Sequence, residues 1–200
     1  MDFDFEKVVV ELSKEKFPLF VSERHLQVAF IIKAKELYPK YDYIPEYVYV
    51  YDNTICHVDL MITDGFEYIA VEFKYVVKGG KIQVAGNDKY ELKDQSAINI
   101  RRHQCVKDIG RLERYLKKDN CVKGYFLLIT NMAGFWKGSG GETTDMKFDI
   151  KDNSTLKKGK HSPVGDTAFS KKHETIEITK DYVISYKPYT EYFKYLIVNV

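Results

Sequence analysis

Three residues in the first half of the chain have the types and spacing to do chemistry together. Asp59 lies in "TICHVDLMI" (54–62), and Glu72 and Lys74 lie in "YIAVEFKYVV" (68–77). Both segments otherwise read as buried β-strands. A strand turns alternate side chains to opposite faces, so Ile69, Val71, Phe73, Tyr75 and Val77 share one side of the second segment while Ala70, Glu72 and Lys74 share the other. By the same rule Cys56, Val58, Leu60 and Ile62 share one face of the first segment, and Asp59 takes the other. An unpaired buried charge is strongly unfavourable, so Glu72 and Lys74 must meet water, each other, a metal or an anionic substrate. If the two strands pair antiparallel through a turn near 63–66, Asp59 comes within reach of both. Two carboxylates converging at a sheet end or bend can hold Mg²⁺, a hard cation that takes oxygen ligands and keeps waters open for phosphate. A lysine beside them can orient an attacking hydroxide or stabilise developing negative charge.

These residues need elements to hold them. Ser22 can cap a helix starting at Glu23, and "ERHLQVAFIIKAKELYP" keeps helical apolar spacing until Pro39. Glu23 lies one turn before Leu26 and Gln27 and shares their face. "YIPEYVYVY" (43–51) and "TICHVDLMI" read as strands joined at Asp52-Asn53, and Asp64-Gly65 turns the chain into the Glu72 strand. Residues 79–97 read as a polar loop. "INIRRHQCVKDIGRLERYLKK" is an amphipathic helix, with Cys105, Ile109, Leu112 and Leu116 on one stripe and Lys107, Arg111, Arg114 and Lys118 on the opposite one. "GYFLLITN" (124–131) is a fourth strand. The order helix, three strands, helix, strand predicts a mixed α/β core. Residues 133–173 read as long surface loops around one short strand, "ETIEITKDYVISYK" as a hairpin around Lys180-Asp181, and "EYFKYLIVNV" as a closing strand or short helix.

Composition sets the frame. The chain has 200 residues, 44% hydrophobic and 30% charged, which fits one globular domain and neither a disordered nor a membrane profile. No apolar run approaches the roughly 20 residues that span a bilayer. The acidic start "MDFDFEKVVVEL" lacks the features of a secretion signal, so a cytoplasmic protein is expected. Cys56, Cys105 and Cys121 have neither zinc-site nor disulfide-framework spacing. The net charge of +2 is unevenly spread: residues 1–77 carry 8 Lys/Arg and 14 Asp/Glu, whereas residues 78–118 carry 11 and 5. An acidic segment followed by a basic one suits a protein that holds cations and a polyanion together.

Asp59, twelve intervening residues, Glu72-Phe73-Lys74 and a preceding helical Glu23 together resemble the PD-(D/E)XK, or restriction-endonuclease-like, nuclease superfamily. The resemblance covers about residues 20–131 and extends through "SERHLQVAF", "HVDLMI", "VEFKY" and "LKDQSAINIRRHQCVKDIGRLERYL". It implies an αβββαβ core with a mixed central sheet flanked by helices, followed by a C-terminal loop and hairpin extension over 132–200. It further implies Mg²⁺-dependent phosphodiester hydrolysis, with Mn²⁺ able to substitute. Asp59 and Glu72 would be the metal ligands, Lys74 the catalytic lysine and Glu23 an auxiliary acid. The helix after the catalytic strand would present Arg101, Arg102, His103, Gln104 and Asp108 to the scissile phosphate of a nucleic acid, most readily DNA, with Lys107 and Arg111 tracking phosphates; a double-strand cut would call for a homodimer. Val58 stands where the family name has proline, and the tail aligns to no family element. The alternative function is a nucleic-acid-binding or regulatory module of the same fold that does not cleave. Four [DE]xK triplets occur in the chain, and only Glu72 to Lys74 lies in an apolar strand preceded by a strand with a central Asp. Weaker candidates are His57, which could assist Asp59, and Phe135, Trp136 and Lys137, which could stack on an unpaired base.

Overall fold

The computed structural model describes residues 1–200 other than 17, 52, 84–88, 93–96 and 119. Two helices come first, α1 (Phe5–Ser13) and α2 (Glu23–Leu37), and each begins on a side-chain cap. Asp4 accepts the Lys7 N–H at 3.0 Å and Ser22 accepts the His25 N–H at 3.1 Å, which satisfies backbone donors that a helix leaves unpaired at its start. The meander β1 (Asp42–Tyr51), β2 (Thr54–Thr63) and β3 (Tyr68–Val76) follows, antiparallel throughout. Its second turn is closed by Asp64, whose carboxylate accepts the N–H groups of Phe66 and Glu67, and by Gly65 at φ +94°.

The expected 79–97 loop instead contains a two-stranded ribbon, β4 (Gly80–Gln83) with β5 (Lys89–Leu92). Residues 84–88 and 93–96 of that stretch, and Asp52 of the expected turn, lie outside the described residues. Then α3 (Ile98–Tyr115) carries the chain over the sheet to β6 (Cys121–Thr130), which pairs parallel to β3. Parallel neighbours need a crossover of this kind.

The tail departs most from expectation. It forms α4 (Ala133–Lys137), a 3₁₀ turn at Met146–Phe148, β7 (Ser154–Leu156), β8 (Gly159–His161), α5 (Ala168–Lys172), β9 (Ile176–Ile178), β10 (Tyr182–Ile184), β11 (Tyr186–Pro188) and β12 (Lys194–Asn199). The central sheet has the order β1-β2-β3-β6-β12-β11, so the closing residues complete it rather than extend from it. Nor do β9 and β10 form the expected hairpin: β9 pairs with β8, and β10 with β7. The fold is mixed α/β, with a mixed sheet flanked by helices.

One face of the sheet packs on α1 and α2, where Phe73 meets Phe30 edge-on at 5.2 Å and Tyr125 stacks on Phe5 at 4.4 Å. The other face packs on α3, through Cys105, Val106, Ile109 and Leu112, and on the tail. The tail also covers the far side of α3. Gly110 lets β9 approach: a Cβ there would lie 3.3 Å from the Ile176 side chain and 3.4 Å from the Glu177 carbonyl. Glu113, buried on the same helix, accepts the Thr179 N–H and the Tyr182 hydroxyl. Among the described residues no helix is long and apolar enough to cross a membrane.

Candidate active site

The strict alternation expected for β2 fails at Asp59. Leu60 and Ile62 pack on the α1/α2 side, but Val58 and Cys56 pack on the α3 side. Opposite Asp59 on β1, Glu46 has φ +51°, and these two residues drop out of a ladder that pairs Pro45 with Leu60 and Tyr47 with Val58. The β1–β2 hairpin therefore twists over at this point, and its two halves serve different cores.

The same place ends the pairing of β2 with β3, whose last partners are Leu60 and Val71. Farther along β3, backbone N–H groups that β2 no longer reaches are taken by carboxylates. Phe73 N–H donates to Asp59 Oδ2 at 2.8 Å, and Tyr75 N–H donates to Glu23 Oε2 at 3.1 Å. Peeling of one strand thus brings an acid from β2 and an acid from the first turn of α2 to a common edge of β3.

On the alternate residues of β3, Glu72 and Lys74 point toward α3. They are not paired with each other. The Lys74 ammonium lies 3.0 Å from Asp108 Oδ2 and 3.4 Å from Glu23 Oε1, and it donates to the Phe73 carbonyl at 3.1 Å. Glu72, fully buried, accepts from the Arg111 guanidinium at 2.7 Å; Arg111 also donates to Asp108 Oδ1 at 2.7 Å. Asp59, Glu72, Lys74 and Glu23 thus lie in one cluster that Asp108 and Arg111 of α3 complete. Four carboxylates face two cations. Glu72 Oε1 is buried with no hydrogen-bond partner, and Asp108 Oδ2 has only the Lys74 ion pair, outside hydrogen-bond geometry.

Titration follows from this imbalance. Burial, together with the charges of Asp108 and Asp59, pushes the Glu72 carboxyl well above its ordinary range despite Arg111 and Lys74. Burial also raises Asp108, against the pull of Lys74 and Arg111, and raises Glu23. For Lys74, burial alone favours the neutral amine, but Asp108, Glu23 and Asp59 outweigh it and push the pKa up. Arg111 is likewise raised, its burial outweighed by Glu72, Asp108 and Asp59. The acidic neighbours of Lys74 therefore hold it in the ammonium form.

A cavity of about 450 Å³ opens on this cluster and is lined by Glu23, Lys74, Asp108 and Arg111 together with Arg101, Gln104, Lys107 and His173. A larger one, about 560 Å³, lies between the chain start and β12, away from the cluster. Of the basic residues expected to meet nucleic acid, Arg101 lines the cavity and holds Gln104 at 2.9 Å, and exposed Lys107 pairs with Glu174 at 2.7 Å.

Two expectations are corrected. Arg102 is buried, donating to Asp145 at 2.7 Å and to the Gly134 carbonyl at 2.6 Å, so it ties α3 to the tail and is shielded from any ligand. Arg111 belongs to the carboxylate cluster and not to an outward basic stripe. His57 is exposed on β2, Phe135 is buried, and Trp136 packs beside Tyr186 with Lys194 over its ring. His173, absent from the sequence-based candidates, reaches the cavity from the tail and contacts His103 with ring centres 4.7 Å apart. No local signal marks it, because tail packing alone brings it there.

Among the described residues no group of three or more His, Cys, Asp or Glu is arranged to hold a metal ion. The donor chemistry still suits a hard cation: the cluster offers carboxylate oxygens, and Glu72 Oε1 is a buried acceptor without a donor. No protein-family profile, curated protein or solved structure matches this chain.

Proposed function

We propose that this chain is a metal-dependent nuclease of restriction-endonuclease-like fold that hydrolyses phosphodiester bonds, with DNA as its substrate class. One observation carries the reading: acids from α2, β2, β3 and α3 surround a partly buried lysine, and one oxygen of the fully buried Glu72 is left without a partner. Asp59 and Glu72 would hold Mg²⁺ or Mn²⁺. Such an ion, when bound, lowers the pKa of a coordinated water and offsets charge on a phosphoryl oxygen. Lys74 supplies a fixed ammonium for the charge that develops on the phosphate. Glu23, whose Oε1 lies against Lys74 and whose carboxyl is raised by burial, positions that ammonium and can accept a proton. Arg101, Gln104 and Lys107 line or flank the cavity where the phosphate backbone would lie.

Plasmid, single-stranded DNA and RNA incubated with Mg²⁺ or Mn²⁺, against a chelator control, test this reading. Cleavage of at least one substrate is expected with metal and none with chelator, and D59N and E72Q should each abolish it. A second reading, a nucleic-acid-binding module that does not cleave, is favoured by the Arg111 bridge, which already joins Glu72 to Asp108. Binding without cleavage across the panel, with either metal, would select it.

A further inference from the structure

We infer that Arg111 is a resident counter-cation that competes with the divalent metal for Glu72, and that Asp108 is the second carboxylate of the place it occupies. The inference rests on the metal-dependent reading above. A single guanidinium nitrogen lies 2.7 Å from both Glu72 Oε2 and Asp108 Oδ1, at a point between two buried acids where a cation is required. Its occupancy is incomplete in a specific way. Glu72 Oε1, on a side chain with no solvent exposure, accepts nothing, whereas Asp108 Oδ2 is held by the Lys74 ammonium at 3.0 Å. Arg111 therefore leaves half of the Glu72 carboxylate unsatisfied, while it and Lys74 divide Asp108 between them. A compact divalent ion could draw on oxygens that the planar guanidinium leaves unused.

The side chain also has somewhere to go. Arg111 is 28% exposed and lines the same cavity as Arg101, Gln104 and Lys107, whereas Glu72 is sealed beneath it. Displaced from Glu72, the guanidinium remains at the cavity wall as a phosphate-binding group. Metal entry and anion binding would thus favour each other through one residue. With no metal bound, Arg111 keeps Glu72 neutralised and the fold intact.

Mn²⁺ titrated calorimetrically into the intact protein, its R111Q and R111K variants and E72Q tests the inference without any activity readout. R111Q should bind Mn²⁺ at least tenfold tighter than wild type, R111K should fall between them, and E72Q should bind weakly or not at all. Removing Arg111 uncovers two buried acids, so melting temperatures in chelator accompany the titration. R111Q should melt lower than wild type and recover more on adding Mn²⁺. Equal or weaker Mn²⁺ binding by R111Q would overturn the inference while leaving the metal reading in place. Absence of binding in both wild type and R111Q would remove the metal reading and the inference with it. An R111Q protein too unstable to titrate in chelator, and not rescued by folding in Mn²⁺, would also count against the inference, since metal could then not take the guanidinium's place.

Discussion

Replacing Lys74 by methionine keeps most of the side-chain volume and removes the charge around which the acids are gathered. Its side chain is 14% exposed and its ammonium lies 3.0 Å from Asp108, whose side chain is 7% exposed, so the pair is screened little by solvent. Glu23, at 3.4 Å and 36% exposed, contributes less. Breaking a buried ion pair from one side costs about 3–5 kcal/mol. The low end applies because Arg111 still holds Asp108 at 2.7 Å. At 2–4 °C per kcal/mol for a chain of this size, a loss of 3 kcal/mol lowers the melting temperature by roughly 6–12 °C. Metal should reverse much of this, since a ligand at 100 times its dissociation constant stabilises the folded state by about 2.7 kcal/mol. Scanning calorimetry of wild type and K74M in chelator and in Mn²⁺ reads both effects, and cleavage by K74M should fall by orders of magnitude while metal binding persists. A K74M protein that melts within a degree of wild type in chelator would make Lys74 a solvated lysine and refute the reasoning. So would one that has lost the metal-dependent rise.

R102A should destabilise the fold by about 3–5 kcal/mol, because it strips a buried partner from Asp145. R101A should instead leave stability nearly unchanged, weaken nucleic-acid binding and flatten its salt dependence; equal salt slopes for R101A and wild type in a binding assay would move the contact surface elsewhere. A pH dependence follows from the raised carboxyls of Glu72, Asp108 and Glu23. Between the ordinary carboxylate range near about 4 and their higher folded values, the folded chain binds more protons than the unfolded one, so these groups make stability fall as pH rises. The melting temperature in chelator should therefore decline more steeply from acidic to neutral pH for wild type than for E72Q, and parallel curves would count against the buried-carboxylate account.

Local pattern carried a large part of this protein. Apolar alternation, the Ser22 cap, the Asp64-Gly65 turn and the helical stripe of Cys105, Ile109 and Leu112 are short-range signals, and they suffice for the order of α2, β1 to β3, α3 and β6, though not for the β4–β5 ribbon. The same pattern placed Asp59, Glu72 and Lys74 on adjacent strands, because an antiparallel turn brings neighbouring strands together whatever else the chain does, whereas Glu23 arrives through packing of α2 on the sheet. Alternation misassigned the faces of β2, since it assumes a regular strand and the twist at Glu46 and Asp59 depends on two cores competing for one hairpin. It also read Arg111 as outward. A helix has one apolar stripe in sequence, but α3 is enclosed by the sheet on one side and β9 on the other, so its charged residues divide between the cluster, the tail and solvent. Composition made 133–173 look like loop, yet its scattered apolar residues, Phe148, Ile150, Leu156 and Phe169, are buried once α3 and β12 provide a surface for them. Residue types and neighbouring spacing thus determined which groups could form a site. Only the tertiary structure decided which charges it would enclose, because a buried ion pair depends on what approaches from elements far away in the chain.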